Sequence, residues 1–319
     1  MPVNILVLPG NARAKSKILS YLDSQSSLRL REVCKSARTL ANLSIVLNQT
    51  TIVRSFFCDM RTLYNNRLYA VMTIYFENRG KCAIWRSVLN CIMQELQVSD
   101  FYMNESCSSL HATMKLEQVE HFLDYMKTLI GKTEFQDLTL SHCPNEIIRI
   151  FSKFVIGKSI SMISITCIEY ISKDFNSYLH LVRDCKTDHL KFSTKLITKD
   201  CIEWLTQISN LVNVLAIIVS STTDISPLAI IRALLCLERS KCSEIHLQLY
   251  SNVYLSFSAV QKMLKLFHSS NKKMHICSFF KEDHIDLQVG LYQLKFFPIP
   301  TRTDVVRYII IRPLQTEYV

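Results

Sequence analysis

From about residue 134 onward, short strand-like runs alternate with helix-like runs, and this alternation constrains the fold more than any other feature of the chain. The strand-like runs are apolar and mostly lie about 25–30 residues apart. The predicted strands are Leu138–Leu140, Ile160–Ile165, Leu190–Phe192, Val214–Val219, Ile245–Leu249, His275–Phe279 and Val305–Ile311. The predicted helices are Asn145–Phe154, Lys173–Val182, Thr198–Ile208, Pro227–Leu237 and Phe257–Phe267. Units of this kind bury their apolar faces by stacking, and their connections suit right-handed crossovers between parallel strands.

This spacing is typical of the leucine-rich-repeat class, although the motif Leu-x-x-Leu-x-Leu-x-x-Asn is absent. We therefore predict an α/β fold, an irregular leucine-rich-repeat-like solenoid with a mainly parallel curved sheet from about residue 66 to 311 and helices on its outer face. The region before residue 134 is expected to begin the same array. Its predicted elements are strands at Leu68–Phe76 and Leu110–Met114, helices at Trp85–Leu96 and Val119–Ile130, and a polar loop over Ser99–Ser109.

Glycine is scarce, with 5 residues in 319, against an average of about 7%. The Gly-rich dinucleotide fingerprint and the glycine-flanked nucleophile are therefore absent. Gly157-Lys158-Ser159 is similar to the end of a phosphate-binding loop, but the glycine needed five residues before Gly157 is Ser152. The residues before Gly157 also have helical rather than strand periodicity, so nucleotide binding is not expected there.

The chain is basic, with a net charge of +10. Its acidic and basic residues are interleaved without a block of five or six like charges, so nucleic acid is not the expected partner. The excess is concentrated in residues 1–50, which hold seven basic and two acidic residues. A surface of this charge suits an acidic protein partner.

The 12 cysteines are spread through apolar segments, with no CxxC pair and no Cys/His cluster at zinc spacing. Residues Met1–Ile5 lack the features of a signal peptide, and the longest uncharged stretch, Leu205–Thr223, is too polar to cross a bilayer. We predict a soluble protein of the cytoplasm and/or nucleus, with no membrane contact. Its cysteines are then free thiols, and the sequons at Asn42, Asn48 and Asn104 occur by chance.

No nucleophile, base or metal-ligand set has a recognisable spacing. His142 and Cys143 are adjacent, but neighbours at a strand end point apart and rarely form a catalytic pair. The other candidates are expected to be structural. His180 and Asp184, one helical turn apart, are expected to form a surface hydrogen bond, His111 and His121 lack a third ligand, and Trp204 is expected in the core. We therefore expect no catalytic residue, no metal and no cofactor, and we predict that the chain is not an enzyme.

The first fifty residues predict a small helical unit. After the turn signal Pro9-Gly10-Asn11, Ile18, Leu19 and Leu22 lie at helical spacing, and a polar break separates them from a second helix. That helix contains Val33 and Cys34 on its apolar side. So small a unit exposes apolar surface and is expected to dock on something.

Residues 5–45 resemble an F-box. The pattern is Leu8-Pro9, then Ile18-Leu19-Ser20-Tyr21-Leu22-Asp23, then Leu28-Arg29-Leu30-Arg31-Glu32-Val33-Cys34-Lys35-Ser36-Ala37-Arg38. The family signature is a Leu-Pro start, an Ile/Leu helix, a short acidic or Ser-containing turn, and a Leu-x-x-Val-Cys-Lys run. The form found here is most similar to the divergent F-box families of nematodes. It lacks the acidic residue that commonly follows Leu-Pro, and Ala37 stands where an aromatic residue is often found. A generic helical hairpin is the alternative interpretation.

The resemblance implies a recruitment function. The F-box domain, residues 1–45, would bind a Skp-family adaptor and through it a cullin, and residues 46–319 would hold an unknown protein substrate for ubiquitin transfer. The implied adaptor-binding residues are Leu8, Pro9, Ile18, Leu19, Leu22, Leu28, Val33, Cys34 and Lys35. The later chain resembles, more weakly, the region that follows the F-box in nematode members. The resemblance lies in Leu138-Thr139-Leu140, the run Cys143–Ile148, Gly157 and Ile160–Ile165. The alternative is a non-enzymatic α/β repeat scaffold whose N-terminal helices only cap the solenoid.

Overall fold

The structure is a computed structural model that describes residues 52–63, 67–77, 82–104, 108–130, 135–167, 176–195, 199–220, 237, 240–250, 254–255, 273–280, 288–289, 292–299 and 306–313. These residues form an α/β fold with a mostly parallel sheet, as predicted. The described residues divide into two units, those up to Thr139 together with Lys153–Ser159, and those of Leu140–Ser152 together with those from Ile160 onward. The predicted boundary at residue 45 lies outside the described residues. No described helix is long and apolar enough to cross a membrane.

The sheet of the first unit begins with an antiparallel hairpin. Strand β1 (Ile52–Thr62) pairs with β2 (Leu68–Glu77), so that Phe57 lies opposite Thr73. The connection between them, residues 63–67, is far shorter than a parallel crossover requires. The strand predicted at Leu68–Phe76 is confirmed. Because it pairs antiparallel with β1, the parallel pairing expected there is wrong.

Two further strands extend this sheet on the side of β2. Strand β3 (Phe101–Met103) pairs antiparallel with β4 (Ser109–Lys115), and β4 pairs antiparallel with β2. The strand predicted at Leu110–Met114 is confirmed, whereas the loop predicted over Ser99–Ser109 contains β3. Three residues are too few to produce a visible alternation in the sequence.

Two helices belong to the first unit, α1 (Cys82–Glu95) and α2 (Leu116–Ile130), and both were predicted. Helix α2 contacts β2 and β4. Its start is capped by Gln118, whose Oε1 accepts a hydrogen bond of 2.7 Å from the backbone N–H of Lys115. Its buried side chains recur at helical spacing: Val119, Phe122, Leu123 and Met126. Strand β5 (Phe135–Ser141) follows α2 in the chain and lies next to β1 in the strand order.

In the second unit strands and helices alternate along the chain. They are α3 (Asn145–Val155), whose last turn belongs to the first unit, β6 (Ser159–Cys167), α4 (Asn176–Asp184), β7 (Lys186–Thr194), α5 (Lys199–Ile208), β8 (Val214–Ser220), β9 (Glu244–Tyr250), β10 (Tyr254–Leu255) and β11 (Lys273–Phe280). Strands β7, β8, β9 and β11 are parallel neighbours. All these strands except the two-residue β10 were predicted, and the helices predicted at Pro227–Leu237 and Phe257–Phe267 lie outside the described residues apart from Leu237.

One face of the parallel strands forms the core of the second unit. The side chains that lie on it are at most 2% exposed: Leu190, Phe192, Leu215, Ile217, Ile245 and Leu247. Trp204 of α5 packs on Phe192 with ring centroids 4.6 Å apart and is 3% exposed, so its predicted place in the core is confirmed. Removing this apolar area from water is the main force that holds such layers together.

The C-terminal strands depart from the parallel pattern. Strands β12 (Gln288–Val289), β13 (Tyr292–Ile299) and β14 (Val306–Pro313) form an antiparallel group, and β14 pairs antiparallel with β11. The strand predicted at Val305–Ile311 is confirmed, but its expected parallel direction is wrong and β13 was not predicted. The short connection between β13 and β14 reverses the chain and leaves no room for a crossover helix.

Candidate functional site

The predicted adaptor-binding residues lie outside the described residues. They are Leu8, Pro9, Ile18, Leu19, Leu22, Leu28, Val33, Cys34 and Lys35. Adaptor binding through these side chains therefore stays a prediction, and the side-chain geometry of the chain is described only for later residues.

The adjacent residues His142 and Cys143 take different environments. His142 has a φ of +54° and an exposed side chain. Cys143 is 6% exposed, and its Sγ donates a hydrogen bond of 3.4 Å to the carbonyl oxygen of Ser141. The thiol is thus buried beneath its own strand end while the imidazole faces outward, as the sequence predicted for neighbours at this position.

Cys143 also contributes to a buried polar cluster with Tyr178 and Cys167. The Tyr178 hydroxyl donates to the Cys143 carbonyl oxygen at 3.2 Å and accepts from the Cys167 thiol at 3.5 Å. Burial raises the pKa of Tyr178 well above its usual range, and the neighbouring Cys167 adds to this. Burial likewise raises the pKa of Cys167 to about 11, although the hydrogen bond to Tyr178 lowers it. These groups stay neutral near pH 7 and tie β6 to α4.

The remaining candidates do not come together as reactive sets. His180 is exposed on α4 and forms no hydrogen bond with Asp184 in the described structure. His111 lies on β4, whereas His121 is exposed on α2. Within the described ranges no three His, Cys, Asp or Glu side chains are placed to hold a metal ion.

Gly157 and Lys158 end helix α3. Gly157 has a φ of +71°, and the backbone N–H of Lys158 donates to the carbonyl oxygen of Val155 at 2.9 Å, as in a left-handed helix terminus. The Lys158 ammonium lies 5.8 Å from the centre of the Phe154 ring. Burial, and then the charge of Lys127, lower the pKa of this ammonium. A helix before Gly157 is confirmed, so this segment lacks the strand-to-helix geometry of a phosphate loop.

Hydrogen bonds at the amino ends of the parallel strands fix their register. The Asn213 backbone N–H donates to the Asp188 carbonyl oxygen at 2.9 Å, and the Asn213 carbonyl accepts from the N–H groups of Ser243 and Glu244 at 2.9 and 3.1 Å. The Asn213 side-chain amide also donates to the Asp188 carboxylate at 3.1 Å. Polar residues at this edge therefore hold β7, β8 and β9 together.

The sheet of the first unit has one buried face and one partly exposed face, on which Asp59 and Thr73 are only 7% and 8% exposed. Alternate side chains on the buried face are at most 4% exposed: Phe56, Cys58, Met60, Ala70, Met72, Ile74, Leu110, Ala112 and Met114. We call the other side the open face, which comprises Ser55, Phe57, Asp59, Arg61, Tyr69, Val71, Thr73, Tyr75, Tyr102, His111, Thr113 and Asp137. Tyr75 and Tyr102 on this face are 45% and 60% exposed.

Aromatic rings cluster across the central strands of the open face. His111 lies between Tyr102, whose ring is stacked at 6.3 Å, and Tyr75, whose ring meets it edge-on at 6.4 Å. The His111 Nδ1 and the Thr73 hydroxyl share a hydrogen bond of 3.0 Å. The cluster thus has fixed ring orientations and accessible edges, the properties of an aromatic anchor at an interface.

The charged groups of the open face differ in how they are paired. Arg61 Nε donates to Asp59 Oδ2 at 2.7 Å. Asp137 is half-buried, and its Oδ2 accepts a hydrogen bond of 3.2 Å from the Ser55 hydroxyl. The open face was not predicted from the sequence, because β1 and β3 were not predicted. In addition, two of its pairings, β2 with β4 and β1 with β5, join strands that are not consecutive in the chain.

No family model matches the chain, and no curated protein is significantly similar to it. The F-box resemblance therefore rests on the residues quoted for it.

Proposed function

We propose that this chain is the substrate-recognition subunit of a Skp–cullin–F-box ubiquitin ligase. The observation that carries the proposal is the ordered F-box pattern of residues 5–45, in which Leu8-Pro9, Leu22-Asp23 and Val33-Cys34-Lys35 follow one another. The F-box binds a Skp-family adaptor and through it a cullin, and the rest of the chain holds a protein substrate. The chain itself performs no chemistry, because bringing a substrate lysine close to the ligase suffices.

We infer that the second unit is a leucine-rich-repeat-like solenoid with a curved sheet. In support, Leu190, Leu215, Ile245 and Met274 lie side by side on neighbouring parallel strands, at intervals of about 25–30 residues. The hydrogen bonds around Asn213 join successive repeats at the same level. Solenoids of this class present long surfaces to protein partners. The expected location is the cytoplasm and/or nucleus, where the partners of such a ligase occur.

The same aligned apolar residues on neighbouring strands favour a second candidate function. In it the chain is a non-enzymatic α/β scaffold, and its N-terminal helices cap the solenoid without binding an adaptor. To cap a solenoid, a pair of helices needs only an apolar side that packs against the first strands. The two candidates differ in one property, which is adaptor binding.

Co-purification of the full chain with a Skp-family adaptor tests the proposal. We expect Leu19→Asp and Leu28→Asp each to abolish co-purification, because a buried unpaired charge costs several kcal/mol. Leu211→Asp is the matched control, since Leu211 is 39% exposed and lies in the second unit, and it should leave adaptor binding intact. A wild-type chain that binds no Skp-family adaptor would refute the F-box interpretation and leave the scaffold.

A further inference from the structure

The open face of the first unit carries a carboxylate beside accessible aromatic rings, and we propose that it binds an extended protein segment through an arginine side chain. The guanidinium pairs with Asp137 and lies against the ring of Tyr75. The inference rests on the proposed function only where it identifies the bound segment as part of a substrate.

Asp137 supplies the charge that selects a cation. Its Oδ2 accepts the hydrogen bond from Ser55 at 3.2 Å, and none of the described basic residues forms an ion pair with it. Asp59 on the same face is instead neutralised by Arg61. A half-buried carboxylate that no described basic residue neutralises has given up part of its hydration, and a bound cation compensates for this loss. Arginine fits best, because its planar fork donates two parallel hydrogen bonds to a carboxylate.

Tyr75 supplies the ring on which the guanidinium stacks. Ser55 lies directly opposite Tyr75 in the β1–β2 ladder, so their Cβ atoms are about 5 Å apart. The Asp137 carboxylate contacts the same serine. Because serine is small, we place the guanidinium over Ser55, between the carboxylate and the ring.

The other end of the open face selects an acidic residue further along the bound segment. Arg61 lies six residues beyond Ser55 on β1, and its side chain is 60% exposed. An extended segment that runs along β1 covers this distance, about 20 Å, with six residues. Six is an even number, so an acidic residue six positions from the arginine projects to the same side and faces Arg61.

The composition of the open face favours a protein over a nucleic acid. Tyrosines, serine and threonines surround the charged groups, which is the composition of protein-binding surfaces. A phosphate backbone would be repelled by the Asp137 carboxylate, which no described basic residue neutralises. The partner is therefore a peptide segment with a basic and an acidic side chain.

Fluorescence anisotropy with the full chain tests this proposal. The probe is a labelled nonapeptide with arginine at its second and glutamate at its eighth position, and alternating serine and valine elsewhere. The control peptide carries citrulline, the neutral isostere of arginine. We expect wild type to bind the arginine peptide roughly tenfold more tightly than the citrulline peptide, since a charge-assisted pair is lost.

Matched variants locate the binding site. Asp137→Asn should abolish the preference for arginine over citrulline, and Tyr75→Ala should weaken binding of the arginine peptide several-fold. Tyr75→Phe keeps the ring, and Asp124→Asn removes an exposed carboxylate of α2, so both should bind as wild type does. Far-UV circular dichroism identifies any variant that fails to fold. If a variant does not fold, the comparison of the two peptides on the wild-type chain still tests the proposal.

Three outcomes would overturn the inference. The first is equal binding of the arginine and citrulline peptides by wild type, and the second is an unchanged preference for arginine in Asp137→Asn. The third is binding of labelled oligouridylate more tightly than the arginine peptide, where Tyr75→Ala abolishes the oligouridylate binding and Asp137→Asn does not. Adaptor binding is measured separately. A chain that binds the peptide and no adaptor refutes the proposed function alone, and a chain that binds an adaptor and no peptide refutes this inference alone.

Discussion

The residues that first suggest chemistry are largely structural in the described chain. Cys143, Cys167 and Tyr178 form a buried hydrogen-bonded cluster, and Trp204 packs in the core. Local sequence predicted that His142 and Cys143 point apart, because alternation along a strand depends only on neighbours. It did not predict that Ser55 lies opposite Tyr75 and beside Asp137, because these positions depend on the order of strands in the sheet.

Burial of thiols gives a prediction at this scale. The seven cysteines whose side chains the structure describes are free, and among these seven only Cys91 is not buried. Burial raises the pKa of Cys167 to about 11 and of Cys185 to about 12. At pH 8 iodoacetamide should therefore modify Cys91 well before Cys167 and Cys185, because the thiolate is the nucleophile. Mass spectrometry of the native chain measures this order, and labelling in urea, where all should react, is the control.

The raised pKa values of Cys167 and Cys185 make the stability of the folded chain depend on pH. Both thiols keep their protons in the folded state above pH 9.0, where the unfolded thiols lose them. Their contribution to stability is thus full below pH 9 and is lost as the pH rises toward 11 and 12. The stability advantage of wild type over Cys185→Ala should shrink between pH 8 and pH 10.5 in urea unfolding. Native Cys185 that reacts as fast as Cys91, or an advantage that grows with pH, would contradict this account.

At the scale of elements, sequence periodicity predicted long segments and failed at short or interrupted ones. Helix α3 begins at Asn145, as predicted, and its apolar residues recur at helical spacing up to Val155. Strand β1 was missed because Arg54, Asp59 and Arg61 interrupt its apolar run, and β3 because it has three residues. Strands joined by short connections pair antiparallel, as β1 with β2 and β13 with β14 do. The spacing of the predicted strands alone did not reveal these short connections.

The end of α3 gives a prediction at this scale. Gly157 has a φ of +71°, and a Cβ added there meets nothing within 4 Å. Gly157→Ala should therefore destabilise the chain by backbone strain alone, by about 1 kcal/mol. Gly157→Asn should cost less, because asparagine tolerates left-handed backbone. Urea unfolding at constant pH measures both, and an alanine variant as stable as wild type would show that the backbone there relaxes.

At the scale of the whole molecule, the described chain divides near residue 140 rather than behaving as one uniform array. The second unit keeps its strands in register from β7 to β11, so each strand covers the edge of the one before it. The first unit instead has an antiparallel sheet with one open face. We therefore assign repeat stacking to the second unit, whereas adaptor binding is predicted for residues 1–45.

A truncation after Asn252 tests that division of labour. Removing residues 253–319 strips β11 from β9, so that the backbone groups of Glu244–Gln248 that face β11 lose their partners while β8 still pairs with the other side of β9. An exposed, alternating apolar edge of this kind pairs with other chains. We expect the truncated chain to lose solubility, measured by sedimentation and size-exclusion chromatography, and still to co-purify with a Skp-family adaptor. Adding Gln248→Lys to the truncation should recover part of the solubility, because a charged edge discourages pairing between molecules. A truncated chain as soluble as the full one would mean that β9 needs no neighbour, and a folded truncation that no longer binds the adaptor would place part of that contact in residues 253–319.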